Sequence, residues 1–426
     1  HSRTSHRRIR LRTSHRRIRL RTSRRRIRSR ISHRSADELQ HRMKPHLLIF
    51  QASSLCNLDC TYCYVPDRWD KTVMSETTLR AALQLLLSRS VPGDPVRILW
   101  HAGEPLAVGL KFFERASEII RECNPGSVRI TQIIQTNGTL INEEWCRFFV
   151  RENILVGVSV DGPATVHDLH RRSPRNEPTH ARVMKGLDLL KIHGIPLHAI
   201  AVITPQSLNY PDEIFDFFIE AGFNTVGFNL EETEGVHASA FSNTKEDADQ
   251  FREKYSAFMS RLFDRWYSAK KRPIIREFES MSFAIGSFLR NHDFKRTADD
   301  LIPFRNIVVT RDGEISTFSP ELASGTTSDP LRFSIGNVHK ISSFDALLAN
   351  QKFQELEREI KAGVARCRSE CEYFPVCGGG MASNKFYEHG TFDCTETMNC
   401  ALTRKTLTHV VAERLRKLSA PTCGMK

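Results

Sequence analysis

The sequence lacks any run of about 18 unbroken apolar residues, so it predicts no membrane-spanning helix. Its first residues also lack the apolar stretch of a secretory signal. Both absences predict a protein that stays in the cytoplasm, where thiols are kept reduced. The 11 cysteines of this 426-residue chain are therefore not expected to form a disulfide framework.

Residues 1–35 lack lysine and acidic residues but contain 15 arginines. This segment repeats the unit RTSHRRIRL, which has too few apolar side chains to bury a core, so the sequence predicts a disordered tail. Three interpretations of the tail stay open: a low-complexity extension without a role, a basic arm for nucleic acid or acidic lipid, and an arm that attracts an acidic peptide. In the rest of the chain 47 basic residues face 49 acidic ones, so the body has no excess charge that would favour nucleic acid.

From about residue 46 onward, short β-rich runs alternate with segments of helical periodicity, which predicts parallel β/α units. Six such units predict an open sheet or a partial barrel, short of the eight units of a closed barrel. Polar side chains gather just after the predicted strands, where α/β folds place their sites. The predicted strands are 46–53, 96–102, 128–135, 154–160, 196–203 and 225–230. The predicted helices between them are 76–90, 108–122, 142–151, 179–193 and 211–221.

Three cysteines, Cys56, Cys60 and Cys63, follow the first predicted strand with the spacing C-x3-C-x2-C. Three thiolates can hold three irons of a 4Fe–4S cube and leave the fourth iron open to an outside ligand. A structural zinc site normally needs four protein ligands, and no fourth cysteine or histidine lies nearby in the sequence. The polar neighbours of the three cysteines make an ordinary core loop a poor alternative. The pattern therefore predicts an iron–sulfur cluster with one free iron.

This spacing after the first strand of a partial barrel resembles the radical S-adenosylmethionine enzymes. The resemblance implies a partial (β/α)6 TIM-like barrel over residues 36–235, in which the open iron binds the amino and carboxylate groups of S-adenosylmethionine. Reductive cleavage of that cofactor then yields a 5′-deoxyadenosyl radical, which abstracts hydrogen from a substrate. The resemblance also implies an electron donor such as flavodoxin or ferredoxin.

Other strand ends resemble the cofactor motifs of the same family. AGEP resembles the family's Gly-Gly-Glu-Pro, with Ala102 in place of the first glycine, and SVDGP with HDLHRR resembles its Ser-x-Asp-Gly-Pro and His-Asp-x-x-Arg. The resemblance implies contacts with the amino group, adenine, ribose and carboxylate of the cofactor. Two alternatives stay open, namely a turn residue for Asp161 and a surface arginine for Arg171. The implied cofactor-binding residues are Tyr62, Gly103, Glu104, Asn137, Ser159, Asp161 and Arg171.

A second cysteine cluster lies within residues 367–400 and contains CRSECEYFPVCGGG. Its C-x3-C-x5-C spacing, after a predicted hairpin at 306–321, resembles the SPASM extension of peptide-modifying radical enzymes, which carries two auxiliary clusters. Phe318 and Met381 stand where that extension has cysteines, so we expect one auxiliary 4Fe–4S cluster. A zinc ion with the same ligands is the alternative. The expected ligands are Cys367, Cys371, Cys377 and Cys400, with Cys394 in reserve.

The resemblance covers about residues 46–418 and implies two further parts of the chain. A helical connector is expected over residues 236–305, and a smaller SPASM-like domain with a final helix over residues 306–426. Within the extension family, CTYCYVPDR and VGFNLEETEG resemble maturases that build cyclophane cross-links in ribosomally made peptides of the glycine-rich repeat type.

The implied reaction takes hydrogen from a side-chain β-carbon, joins that carbon to an aromatic ring and passes one electron to the auxiliary cluster. The implied partner is a precursor peptide. Asn229, Glu231 and Glu232, after the sixth predicted strand, are the candidate catalytic residues, with helix-start or turn positions as the alternative. Two other functions stay open: an anaerobic sulfatase-maturating enzyme that makes formylglycine, and a non-catalytic iron–sulfur or zinc scaffold whose Arg-rich tail binds nucleic acid.

Overall fold

The computed structural model of the chain describes residues 44–124, 126, 128–241 and 245–419. The predicted disordered tail at 1–35 lies outside the described residues. Within these described ranges, no helix has the length and apolar character needed to cross a membrane.

The alternation of strands and helices that the sequence predicts is confirmed. The strands are β1 (Leu47–Gln51), β2 (Pro95–Trp100), β3 (Arg129–Thr136), β4 (Leu155–Ser159), β5 (His198–Ile203) and β6 (Thr225–Leu230). The helices between them are α1 (Glu76–Leu87), α2 (Leu110–Glu122), α3 (Glu143–Arg151), α4 (Ala164–His170), α5 (His180–Ile192) and α6 (Pro211–Glu220). Helix α4 was not predicted, because its seven residues are too few for a periodic pattern to stand out.

Local sequence explains where several of these helices begin. The Ser75 side chain accepts a hydrogen bond from the Thr78 N–H at the start of α1, and the Asn142 side chain accepts one from the Trp145 N–H at the start of α3. Such caps satisfy N–H groups that have no partner inside the helix. The helices then pack their apolar faces onto the sheet, as in other parallel α/β folds.

All strands belong to one open sheet in the order β10-β9-β8-β1-β2-β3-β4-β5-β6-β7. Strands β1 to β6 are parallel neighbours, as the β/α pattern predicts. The predicted hairpin at 306–321 forms β8 (Asn306–Thr310) and β9 (Glu314–Thr317), and β8 pairs in parallel with β1. The hairpin therefore extends the same sheet and lies beside the strand that leads into the first three cysteines. Short strands β7 (Ile274–Ile275) and β10 (Gly336–Asn337) end the sheet.

The rest of the C-terminal half is mainly helical. Its helices are α7 (Lys245–Ser268), α8 (Arg276–Arg290), α9 (Phe344–Leu348), α10 (Gln351–Glu370), α11 (Phe374–Cys377), α12 (Ala382–His389) and α13 (Leu407–Ser419). A π-helix, Cys400–Thr406, leads directly into α13. Such wider helical turns occur often at functional sites.

The two faces of the sheet differ in exposure. On one face Val158 and Ala199, which are register partners, are buried at 0% and 4% exposure. On the other face Ser159 is half-buried and Asn229 is exposed. Because successive side chains of a strand point to opposite faces, one face builds the core and the other stays open to a ligand.

Candidate functional site

The first cysteine loop (residues 52–68) follows β1 and carries Cys56, Cys60 and Cys63. Backbone hydrogen bonds tie it to the chain after α4: the Asp59 N–H donates to the Arg172 carbonyl at 2.7 Å, and the Thr61 N–H donates to the His170 carbonyl at 3.1 Å. The Cys56 N–H also donates to the Arg68 carbonyl at 2.9 Å, which closes the loop on itself. The three thiols are therefore held on a constrained segment.

The Cys56 sulfur has hydrogen-bond donors beside it, and the Cys56 and Cys60 thiols are shielded from water. The Leu58 N–H donates to the Cys56 sulfur at 3.4 Å, and the Asn137 side-chain amide lies 4.0 Å from the same sulfur. Burial raises the pKa of Cys56 and of Cys60 to about 12, so both thiols stay protonated at neutral pH unless a cation binds them. These donors fit a cluster bound through thiolates.

Among the residues that the structure describes, no three His, Cys, Asp or Glu side chains come close enough to hold a single metal ion. A cube cluster does not require such convergence, because each thiolate binds its own iron. The assignment of Cys56, Cys60 and Cys63 as cluster ligands stays a prediction.

Glu104, just after β2, is an enclosed carboxylate beside the loop, at 1% exposure. Its two oxygens accept from the Leu106 N–H at 2.9 Å, the Thr136 hydroxyl at 2.6 Å and the Asn137 N–H at 2.6 Å. Burial raises its pKa to about 7, and these three hydrogen bonds act in the opposite direction. The Glu104 carboxylate therefore orients the segment that carries Asn137.

Gly103 explains how Glu104 reaches this position. Its φ is +57°, and a Cβ there would lie 2.6 Å from the Leu55 carbonyl oxygen, so only glycine fits. The next N–H, that of Glu104, donates to the same carbonyl at 2.7 Å. The AGEP turn is thus packed directly against the first cysteine loop.

Asp161, Arg171 and Tyr62, three of the residues implied by the family resemblance, form one buried group. The Arg171 Nε donates to Asp161 Oδ2 at 3.0 Å, and the Tyr62 hydroxyl donates to the same oxygen. The Arg171 guanidinium also lies 5.4 Å from the centre of the Tyr62 ring. Asp161 is 1% exposed and Arg171 is 7% exposed, so the alternative of a surface arginine is wrong. The alternative of a mere turn residue for Asp161 is wrong as well, because its carboxylate is the centre of this group.

Asn137, just after β3, contacts the first cysteine loop, whereas Ser159, at the end of β4, contacts the neighbouring strand β3. The Ser159 hydroxyl accepts from the Gln135 side-chain amide at 2.9 Å, beside Gly157, where a Cβ would lie 2.2 Å from the Gln135 oxygen. The Asn137 amide donates to the Asn57 side chain at 2.8 Å. The strand ends therefore converge on the first cysteine loop, as the sequence predicts for a site of this fold class.

The three candidate catalytic residues, Asn229 in β6 and Glu231 and Glu232 just after it, do not form one group. Asn229 accepts from Arg276 at 2.7 Å, and the Glu231 carboxylate lies 3.0 Å from the His237 ring nitrogen. The Glu232 carboxylate instead accepts from the Asn384 side-chain amide at 2.9 Å. Their roles stay predictions.

Two carboxyl groups that sequence reasoning missed lie near this turn. Glu234 is 6% exposed, and burial raises its pKa well above the usual value, with Glu321 and Glu232 adding to the rise. Burial also raises the pKa of Glu321 to about 7, although part of its side chain reaches the surface. Gly235 packs this turn against Tyr64, the residue after Cys63. The acidic run EETEG was the available signal, but burial cannot be read from it.

The second cysteine cavity lies at the end of α10, has a volume of about 200 Å³ and is lined by the four expected ligands. Cys367 lies in the last turn of α10, Cys371 follows that helix, Cys377 ends α11 and Cys400 begins the π-helix. Burial raises the pKa of Cys400 to about 12, and the neighbouring Cys377 adds to the rise. The reserve ligand Cys394 does not line the cavity, and its sulfur faces the Thr391 carbonyl at 3.6 Å. The set fits four-thiolate ligation of a cluster, in which each thiolate binds its own iron. Among the described residues the four sulfurs do not converge closely enough to hold a single zinc ion.

The loop after Cys377 needs its glycines. Gly378, Gly379 and Gly380 have φ values of +86°, +119° and +77° in succession, a conformation that other residues rarely adopt. A Cβ on Gly378 would lie 2.6 Å from the Arg296 carbonyl oxygen. Phe318, one of the two residues that stand where the SPASM extension has cysteines, is fully buried.

Comparisons with known proteins identify what this chain is similar to. The chain matches the model of the Radical SAM superfamily over residues 51–218. It is 36% identical over 376 residues to the uncharacterized protein sll1766 of Synechocystis sp., a match that covers 87% of this chain and 92% of that protein. A serine-type anaerobic sulfatase-maturating enzyme from Bacteroides thetaiotaomicron is 33% identical over 238 residues, or 52% of this chain and 57% of that enzyme. The solved structure of native anSMEcpe with bound AdoMet and Cp18Cys peptide aligns with a TM-score of 0.69 at 24% identity, over 88% of this chain and 98% of that one.

Proposed function

Because the chain belongs to the radical SAM superfamily, we propose that it cleaves S-adenosylmethionine reductively and modifies a ribosomally made peptide. The observation that carries this proposal is the packing of three separate strand ends against one cysteine loop. Glu104 follows β2, Asn137 follows β3 and Asp161 follows β4, where it pairs with Arg171 at the end of α4, yet all lie beside residues 52–68. A scaffold that only binds metal would not need them.

In this proposal Cys56, Cys60 and Cys63 hold a 4Fe–4S cluster, and the remaining iron is free for S-adenosylmethionine. The bound cofactor supplies the radical that takes hydrogen from the substrate. Gly103 and Glu104 would bind its amino group, and Asp161, Arg171 and Tyr62 would bind its carboxylate, ribose and adenine. The buried pair of Asp161 and Arg171 keeps its side chains fixed before the cofactor binds, which lowers the cost of ordering them.

The second cysteine cavity holds one auxiliary 4Fe–4S cluster through Cys367, Cys371, Cys377 and Cys400. Its role is to accept the electron that the substrate radical loses, while flavodoxin or ferredoxin reduces the first cluster. Four thiols lining one cavity support this role, because four thiolates leave no iron free for a substrate ligand. The candidate catalytic residues are Asn229, Glu231 and Glu232, to which the neighbouring carboxyls Glu234 and Glu321 are added as acid–base candidates.

The modification that we propose is a cyclophane cross-link between an aromatic ring and a β-carbon. It rests on the resemblance of CTYCYVPDR and VGFNLEETEG to maturases of that type and on the loss of the cysteines replaced by Phe318 and Met381. Formylglycine formation is the second candidate. It is favoured by the 33% identity to a serine-type anaerobic sulfatase-maturating enzyme, although that match covers only 57% of the enzyme.

The test begins with anaerobic reconstitution of the full chain with iron and sulfide, followed by assay of 5′-deoxyadenosine with dithionite as reductant. We expect product from the native chain, and its absence with an active reductant would contradict the radical chemistry and favour the scaffold. The peptides to supply are an aromatic-containing peptide encoded beside this gene and a sulfatase-derived serine peptide. Both reactions remove two hydrogens, so a hydrazide reagent separates them: formylglycine reacts as an aldehyde, whereas a cyclophane does not.

A further inference from the structure

Lys385, on α12, is a buried lysine at the edge of the second cysteine cavity. It is 2% exposed, and its ammonium lies 3.3 Å from the Cys367 sulfur. Across the part of the chain that the structure describes, no carboxylate forms a salt bridge with it. Lysine is rarely buried this deeply without an anionic partner.

The fold makes room for this side chain. Gly363, on the facing side of α10, has no Cβ, and a Cβ there would lie 3.1 Å from the Lys385 ammonium. The same Cβ would lie 2.0 Å from the Phe392 carbonyl oxygen, so the helix and the loop after α12 approach closely at this point. This close fit indicates that the fold is shaped to hold the Lys385 side chain, which is therefore not a surface side chain that happens to fold inward.

A neutral thiol does not offset the cost of burying an ammonium group, which is several kcal/mol for an unpaired ion. Four thiolates bound to a 4Fe–4S cube form an anionic group, which provides the missing countercharge. The position of Lys385 beside Cys367, one of the four lining cysteines, is therefore matched to a negatively charged cluster in the cavity.

We propose that Lys385 is a positioning residue that raises the reduction potential of the auxiliary cluster by donating a hydrogen bond to the Cys367 sulfur. Hydrogen bonds to ligand sulfurs and nearby charge are known means of tuning such potentials. The inference rests on the proposed function, in which the substrate radical transfers one electron to the oxidised cluster and loses one proton to a base. A higher potential makes the cluster a better acceptor of that electron.

Lys405 provides a matched control, because it lines the same cavity with a different environment. Its ammonium lies 2.6 Å from the Glu396 carboxylate, and its side chain is 29% exposed. Lys385 brings a positive charge to the Cys367 sulfur, and Lys405 brings one near Cys371 and Cys400. Among the hydrogen bonds of the described residues, Lys385 donates to a sulfur and Lys405 donates to a carboxylate. If positive charge alone set the reduction potential, removing either lysine would lower that potential by the same amount.

The experiment uses the full chain carrying Cys56→Ala, which leaves the auxiliary cluster as the redox centre, and follows a potentiometric titration by electron paramagnetic resonance. Iron content is measured on the same samples. We expect Lys385→Met to keep its iron and to lower the midpoint potential by at least about 59 mV, the equivalent of a tenfold change in a one-electron equilibrium. Lys385→Arg should keep the midpoint potential close to that of the protein with native Lys385. Lys405→Met should move the potential by less than a third as much as Lys385→Met.

An unchanged potential in Lys385→Met, or an equal shift in Lys405→Met, would overturn the proposal. If Lys385→Met does not take up iron, Lys385→Leu, which also lacks a donor and a charge, takes its place, and an unchanged potential there also overturns it. Zinc in place of iron in the cavity overturns both this proposal and the auxiliary-cluster assignment. Formation of 5′-deoxyadenosine by the chain with native Cys56 tests the radical chemistry independently.

Discussion

The first cysteine loop takes its three thiols from eight consecutive residues, whereas the second cysteine cavity takes its four from α10, the residue after it, α11 and the π-helix. The first is bordered by polar groups that strand ends contribute, and the second by Gly379, Gly380 and Lys405, with Lys385 in contact with Cys367. Charge is handled differently as well: Arg171 pairs with Asp161 inside the protein, while Lys385 donates to the Cys367 sulfur and has no carboxylate partner among the described residues. Three thiols with polar neighbours suit a cluster that leaves one iron free for a ligand. Four thiols around a cavity suit a cluster whose irons are all bound by the protein and which carries electrons.

The largest expected effect comes from removing one ligand in each site. Cys56→Ala should lower the rate of 5′-deoxyadenosine formation by about a thousandfold or more, because the cofactor would lose its iron, a barrier increase of about 4 kcal/mol. Cys377→Ala should keep that reaction within about tenfold and abolish the modified peptide. The measurements are chromatography of 5′-deoxyadenosine, mass spectrometry of the peptide and iron content. Equal loss of 5′-deoxyadenosine in both variants would show that the two sites do not have separate roles.

A second prediction compares the two buried cations in protein without iron. Asp161→Asn leaves the Arg171 guanidinium buried without its counter-ion and should lower the free energy of unfolding by about 3 kcal/mol. Lys385→Met should not lower it, because it removes a buried charge that has no carboxylate partner. Urea unfolding followed by circular dichroism measures both, with the native chain as reference. A large loss in Lys385→Met would mean that its ammonium is compensated within the protein.

Short motifs in the sequence predicted which residues gather beside the first cysteine loop and which four cysteines line the second cavity. Cys56, Cys60, Cys63 and the strand-end residues lie in short motifs, so local spacing already specifies which groups come together. The parallel pairing of β8 with β1 joins segments about 260 residues apart, and no local pattern records it. The hairpin was predicted correctly, but its place in the sheet was not.

Burial was the property that the sequence could not give. No local pattern in the sequence singles out Lys385 or Glu234, because their enclosure depends on Gly363, Phe392 and Gly235. Conversely, Arg171 and Asp161 were each left with an alternative because a motif does not reveal exposure. Propensity and spacing describe the chain locally, whereas burial is set by tertiary packing.

The raised pKa of Glu104 gives the first site a dependence on pH. Its folded-state pKa is about 7, above the value of about 4.5 for an exposed glutamate, so its contribution to stability is fully present below about pH 4.5 and is lost as pH rises through 7. Between pH 5 and pH 8 the protein without iron and cofactor should lose about 2 to 3 kcal/mol from this group. The same loss should be missing in Glu104→Gln. Urea titrations at several pH values measure the slope, and parallel slopes for the two proteins would contradict this prediction.

The smallest expected effect concerns backbone strain beside each site. Ala102 has a φ of +71° next to Gly103, whereas the loop of the second site uses glycine at all three positive-φ positions from Gly378 to Gly380. An L-residue in this region destabilises the folded state by about 1 to 2 kcal/mol, and substitution by glycine removes that strain. Part of the gain in stability is lost, because glycine also raises the conformational entropy of the unfolded chain. Ala102→Gly should therefore raise the free energy of unfolding by about 0.5 to 1 kcal/mol.

The matched change in the second site is Gly379→Ala, which should destabilise the protein by about 1 to 2 kcal/mol, because the new Cβ would adopt a φ of +119° and lie 3.1 Å from Val364. Denaturant unfolding of both variants measures the pair of effects, with 5′-deoxyadenosine formation as a check that the first site is intact. If Ala102→Gly destabilises the protein instead, the contacts of the Ala102 methyl group outweigh its strain. Ala102 would then be a packing residue, and its turn could no longer be compared with the loop from Gly378 to Gly380.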